Sequence, residues 1–186
     1  MNIPNQLTIA RMIITPVFLA VFTIPSIPYN YAIAMLLFII GSLTDLFDGI
    51  IARKRNLVTN FGKFADPLAD KILTTSALLG FMALGYCNVW VVFLVLFREF
   101  AISSMRLIAA AEGLVIPANI WGKVKTTFQM VATIAIMLGL VLVGDFGIEL
   151  PLHFVADILF WIIAVLTIVS GVVYVKDGVK VIDFSK

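Results

Sequence analysis

The stretch Met12–Thr44, MIITPVFLAVFTIPSIPYNYAIAMLLFIIGSLT, carries no charged side chain and is interrupted only by Pro25, Ser26, Pro28 and Asn30. A helix crossing a bilayer needs about 20 apolar residues. The stretch therefore belongs to two such helices, with the prolines marking the turn between them, and we expect helices over 9–27 and 31–52. Charge is absent again from Ile72 to Phe97, with a break at Gly85-Tyr86-Cys87-Asn88, which predicts helices near 67–85 and 89–112. Thr126–Gly144 and Ile158–Val175 are two further uncharged stretches of spanning length. The reading is an all-α integral membrane protein with six transmembrane helices, forming one membrane domain over 1–186.

Composition agrees. Of 186 residues, 62% are hydrophobic and 13% charged, with mean hydropathy +1.10; soluble domains carry about a quarter charged residues. Disorder and collagen-like repetition are excluded. The single cysteine, Cys87, cannot form an internal disulfide, and the single histidine, His153, cannot build a His-rich metal site. Arg11 interrupts the first apolar stretch and no small-residue cleavage site precedes Pro25, so we read a retained helix and not a signal peptide.

The turns at 24–30, 85–88 and 144–156 contain no Lys or Arg, whereas Arg53, Lys54, Arg55, Lys63, Lys71, Lys123, Lys125, Lys176, Lys180 and Lys186 fall on the opposite side. The positive-inside rule then makes both termini cytosolic. A basic cytosolic face attracts anionic lipid; membrane lipid is the expected partner, and nucleic acid is not. A plasma (inner) membrane location is expected, with the active site facing the cytosol.

The chemistry lies in Thr44–Asp70. Asp45 and Asp48 are spaced i,i+3 and Asp66 and Asp70 i,i+4, so each pair shares a helix face. Gly49 and Ala52 lie on the same face as Asp45 and Asp48, which makes that face acidic and small, open to close approach by a ligand. Pro67 suits the first position of a helix and Asp66 its cap. The connection from Arg53 to Asp66 is short, so four carboxylates converge. Two like charges about 4 Å apart repel by roughly 4 kcal/mol at an effective dielectric of 20, so the acids need protons, basic partners such as Arg53, Lys54, Lys63 and Lys71, or metal. An all-oxygen set favours Mg²⁺ or Mn²⁺, and two ions could clamp a phosphoryl group.

Written out, the segment is Asp45-x2-Asp48-Gly49-x2-Ala52-Arg53-x8-Gly62-x3-Asp66-x3-Asp70. It resembles the complete signature of the CDP-alcohol phosphotransferase family, whose members also have six transmembrane helices. The resemblance implies an enzyme that attacks the pyrophosphate of a CDP-linked donor with an alcohol and expels CMP. It implies that Asp45, Asp48, Asp66 and Asp70 hold a binuclear metal site and that Asp70 serves as general base. It further implies that Gly49, Ala52 and Gly62 line the nucleotide site with Arg53 near the donor phosphates, and that the enzyme is a homodimer.

Arg98, Glu99 and Arg106 fall within the fourth helix, where a buried charge costs at least about 2.5 kcal/mol; they should face the bundle interior or a hydrated cavity. Lys123 and Lys125 open the fifth helix about 200° apart, so at most one aims inward if the helix is regular. A second basic cluster calls for a second anion, a phosphorylated acceptor, unless Arg98 is paired internally with Glu99 or the aspartates. Asn2-Ile-Pro-Asn5-x2-Thr8-x2-Arg11, Arg98–Arg106 and Gly122–Thr126 together resemble the phosphatidylglycerophosphate synthase branch. That branch implies CDP-diacylglycerol as donor and glycerol 3-phosphate as acceptor, the acceptor phosphate on Arg98, Arg106, Lys123 and Lys125, and donor contacts from Asn5, Thr8 and Arg11. An inositol phosphate or another alcohol is the alternative acceptor. A divalent-cation transporter is the alternative class, disfavoured because the acids sit at helix ends and not near the bilayer midplane. Trp90, Trp121 and Trp161 read as interfacial anchors. Asp145, Glu149 and Asp157 read as solvated loop or cap charges, and Cys87 and His153 as non-catalytic.

Overall fold

The computed structural model describes residues 3–54, 60–114, 116–117 and 119–179, and every regular element among them is helical. In order these are α1 (Ile3–Thr23), α2 (Asn30–Lys54), α3 (Asn60–Ala83), α4 (Val89–Ala111), α5 (Ile120–Leu140) and α6 (Leu152–Gly178), with a π-helical turn, Val141–Asp145, continuing α5. Three stretches are long and apolar enough to cross a membrane: Asn5–Thr23, Ile120–Asp145 and Leu152–Gly178. The apolar part of α2, Asn30–Asp45, is shorter, while α3 and α4 carry Asp66, Asp70 and Lys71, and Arg98, Glu99 and Arg106. Large apolar side chains such as Phe97, Phe100, Leu107, Phe154 and Val172 are exposed, the arrangement of a protein whose solvent is lipid. The chain is a helical membrane protein.

Contacts divide the chain into two compact units, Met1–Gly85 with Thr133–Leu152, and Tyr86–Ala132 with His153–Lys186. In the first, α1 packs against α2 and α3. The buried positions of α1 are Asn5, Thr8, Arg11, Thr15, Phe18 and Phe22, steps of three and four that follow one helix face. That face is polar in its first half and aromatic in its second. Phe22 meets Phe18 at 5.5 Å, stacked, and Phe81 at 5.1 Å, edge-on. Gly80 exists to admit that ring, since a Cβ there would stand 2.4 Å from Phe22 Cδ1. In the second unit, Ile102, Ala109, Ile116 and Tyr174 form a buried cluster with Met105 packed against it.

Several helix ends differ from the sequence reading. α1 begins at Ile3, not residue 9, so the polar Asn5–Arg11 segment is helical. α3 begins at Asn60, which puts Pro67 inside the helix and removes Asp66 from the cap position. A proline there forfeits one hydrogen bond, to the carbonyl four residues back, and the helix continues through it. α5 begins at Ile120, capped by Asn119, whose Oδ1 accepts from the Gly122 N–H at 2.7 Å. α6 begins at Leu152, so Asp157 is a helical residue and not a loop charge, and Trp161 stands ten residues into the helix and not at its end. Asp145 agrees with the cap reading: its Oδ2 accepts from the Ala32 N–H at 2.8 Å and caps α2. The π turn sets up this contact, with Phe146 N–H donating to Val141 O at 3.1 Å and Gly144 lying flat against the Tyr31 ring.

Candidate active site

The aspartate motif lies on two uninterrupted helical segments, the C-terminal half of α2 and the N-terminal half of α3. The i,i+3 and i,i+4 spacings of the acids are therefore helical spacings in fact. The side chains of Asp48, Gly49, Ala52, Arg53 and Asp66 lie outside the described residues. Those of Asp45, Gly62 and Asp70 are described. Gly62 is buried and Asp70 is half-buried, and the small Ala65 and Ala69 between them are buried. Thr74 Oγ1 donates back to Asp70 O at 3.2 Å.

Arg11 is completely buried in the first unit. Its Nη1 donates to Asp45 Oδ1 at 2.5 Å, across 34 residues of sequence, while Asp45 stays 36% exposed. A guanidinium in a dry site requires a paired carboxylate. The pair ties α1 to the first acid of the motif. The Arg11 contact is made by Asp45 Oδ1. Asn5 and Thr8, two turns and one turn before Arg11, are buried on the same face. The three residues read from the sequence as a donor-side group thus share one buried stripe that includes a motif contact.

In the second unit, Glu99 gathers two of the four basic residues. Its Oε1 accepts from Arg98 Nη1 at 2.8 Å and from Lys125 Nζ at 2.9 Å. The Lys125 side chain is 3% exposed, Arg98 11% and Glu99 25%. Lys123 is exposed, as expected of a residue some 200° around the helix from a buried Lys125. Arg106 turns instead to α6, where its Nε donates to Tyr174 OH at 2.9 Å and its guanidinium carbon stands 5.4 Å from that ring's centroid. Internal pairing of Arg98 with Glu99 is therefore real, and Lys125 shares the same carboxylate oxygen.

Reading the sequence missed Tyr174 and Asn119, and it treated Glu99 only as a charge to be housed. No local signal could have found Tyr174, which lies 68 residues from Arg106. Asn119, immediately before α5 at Ile120, carried a legible capping signal. The Cys87 thiol is pushed up to about 12, first by burial and then by the nearby Asp157 carboxylate, which keeps it protonated and inert. His153 stacks on Tyr86 with ring centroids 4.0 Å apart.

Comparison with known proteins bears on both clusters. A family model described as CDP-alcohol phosphatidyltransferase matches residues 1–169. A Bacillus subtilis (strain 168) protein named CDP-diacylglycerol–glycerol-3-phosphate 3-phosphatidyltransferase is 40% identical over 181 residues, covering 91% of each chain. A protein of the same name from Rickettsia bellii (strain RML369-C) is 40% identical over 176 residues, covering 94% of each chain. With the motif complete on its two helices and the match running through both compact units, the chain belongs to the CDP-alcohol phosphatidyltransferase family.

Proposed function

We propose that this protein transfers the phosphatidyl group of CDP-diacylglycerol to glycerol 3-phosphate, giving phosphatidylglycerophosphate and CMP in phospholipid biosynthesis. The observation that carries the reading is the complete eight-position motif on two continuous helices, in a chain 40% identical to relatives named for that reaction.

In this reaction the acceptor hydroxyl oxygen attacks the phosphorus bearing the diacylglycerol. The bond from that phosphorus to the bridging pyrophosphate oxygen breaks, and CMP departs with the electron pair. The hydroxyl proton passes to a carboxylate, which we assign to Asp70; a base within hydrogen-bond reach contributes roughly 10²–10⁴-fold. Asp45, Asp48, Asp66 and Asp70 offer only hard oxygen donors, which fits Mg²⁺ or Mn²⁺, and Arg11 holds Asp45 Oδ1. Two such ions, when bound, supply the charge neutralisation that a pyrophosphate with a CMP leaving group requires.

The remaining roles follow from each residue's chemistry. Gly49, Ala52 and Gly62 give the nucleotide close access to the backbone, and Arg53 with Asn5, Thr8 and Arg11 serves the donor end. Arg98 and Lys125, with Arg106 and Lys123 in support, serve the acceptor phosphate. The convergence of Arg98 and Lys125 on one Glu99 oxygen supports that assignment. We place all six helices across a bacterial plasma membrane, with both termini and the active site on the cytosolic side, and we take the enzyme to be a homodimer. The donor's acyl chains then remain in the bilayer.

The test is CMP release from CDP-diacylglycerol with Mg²⁺, offering glycerol 3-phosphate and inositol phosphate in separate reactions. Release with glycerol 3-phosphate alone is expected. Release with inositol phosphate alone moves the acceptor, and release with neither, from folded protein, overturns the reading.

A further inference from the structure

We infer that Glu99 is a positioning residue that holds Arg98 and Lys125 together as a preformed receptor for the acceptor's phosphate; this rests on the acceptor role proposed above for those two cations. Both donors lie within 2.9 Å of the same oxygen, Glu99 Oε1. At 3% and 11% exposure the two cations have little solvent to screen them. Without the carboxylate they would repel each other at short range, and one or both would swing away. With it, the two cations are held side by side on one oxygen, where a phosphate can meet both.

The packing around Arg98 leaves it little freedom. A Cβ at Gly122 would lie 3.2 Å from Arg98 Nη2, and one at Gly171 would lie 3.3 Å from Arg98 Cγ. Both glycines therefore act as room for this side chain. The same Gly122 position is 3.2 Å from Asn119 Oδ1, so the Arg98 and Asn119 side chains both border Gly122. Arg98 Nε and Asn119 Nδ2 are both buried donors with no hydrogen-bond partner among the described residues. Buried donors left without acceptors are costly, and an oxyanion carries the acceptors they lack. Glu99 supplies the order in this arrangement and the other groups supply the donors, which is how a supporting residue lowers the cost of binding.

The experiment uses the full-length protein in lipid nanodiscs, as wild type, Glu99→Gln and Glu99→Ala. Glu99→Ala is expected to raise KM for glycerol 3-phosphate about 10- to 100-fold while KM for CDP-diacylglycerol stays within about twofold. Glu99→Gln, which keeps an oxygen in place, is expected to recover most of the loss. A fall in KM for glycerol 3-phosphate in either variant would overturn the inference, because Glu99 would then be competing with the phosphate. Equal increases in both KM values, together with a lowered thermal midpoint, would overturn it too, by showing a structural role only. Binding of inorganic phosphate, measured by calorimetry on the same three proteins, decides the matter without turnover. Weakened binding in Glu99→Ala supports the inference, and unchanged or tighter binding overturns it. If wild type releases no CMP with glycerol 3-phosphate, the proposed activity fails while the phosphate measurement still judges Glu99.

Discussion

At the scale of single residues, the Arg11–Asp45 pair has the sharpest consequences. Arg11 is fully buried and Asp45 is not, so the two ends of the pair are not equivalent. Arg11→Ala removes the partner of a half-exposed acid, which water can partly replace, and is expected to cost roughly 1–3 kcal/mol. Asp45→Ala removes a carboxylate partner from a guanidinium in a dry site and should cost more. Thermal unfolding of the two variants in detergent gives the order, and the reverse order would contradict the burial asymmetry. Cys87 supports a second prediction. With its thiol pushed up to about 12, only about one molecule in ten thousand is thiolate at pH 8, against about one in ten for an ordinary thiol of pKa near 9. Maleimide should label the folded protein far more slowly than the protein unfolded in SDS. Linkage has the same sign: the folded state binds this proton more tightly, so the associated stability is full below pH 9 and is lost as pH rises toward 12.

At the scale of elements, contacts at helix ends and crossings matter more than propensity. Phe22 sits in an aromatic cluster that cannot move aside, so Gly80→Ala, whose Cβ would meet that ring at 2.4 Å, is expected to lower stability by about 1–3 kcal/mol. Asp145→Ala should cost about 0.5–2 kcal/mol by removing the cap from α2. Asp145→Asn should restore most of it, and loss of the thermal midpoint to the same extent in both variants would argue against capping. These elements also mark what the sequence could reveal. The uncharged stretches located six helices because apolar length is a local property, and the acid motif was legible because its spacing is set within two helices. Asp145 on Ala32, Lys125 on Glu99 and Arg106 on Tyr174 join residues 113, 26 and 68 apart. No periodicity encodes such pairings. Pro67 misled for a related reason: a proline marks a helix start only if nothing upstream is helical, and here Asn60–Asp66 is.

At the scale of the whole molecule, the proposal is a membrane enzyme with basic residues gathered on its cytosolic face. In a Cys87→Ser background, Glu149→Cys in intact cells is expected to react with a membrane-impermeant maleimide, whereas Ser185→Cys reacts only after the membrane is opened. The opposite pattern would invert the topology. The central claim, transfer of a phosphatidyl group to glycerol 3-phosphate, is tested most directly by following radiolabelled glycerol 3-phosphate into the lipid phase with purified protein. Wild type and Asp70→Asn are compared, with and without CDP-diacylglycerol and Mg²⁺. We predict label in a product that co-migrates with phosphatidylglycerophosphate, dependent on both additions and reduced at least about 100-fold in Asp70→Asn. Label that stays in the aqueous phase with folded wild type, or that enters lipid equally well in Asp70→Asn, would contradict it.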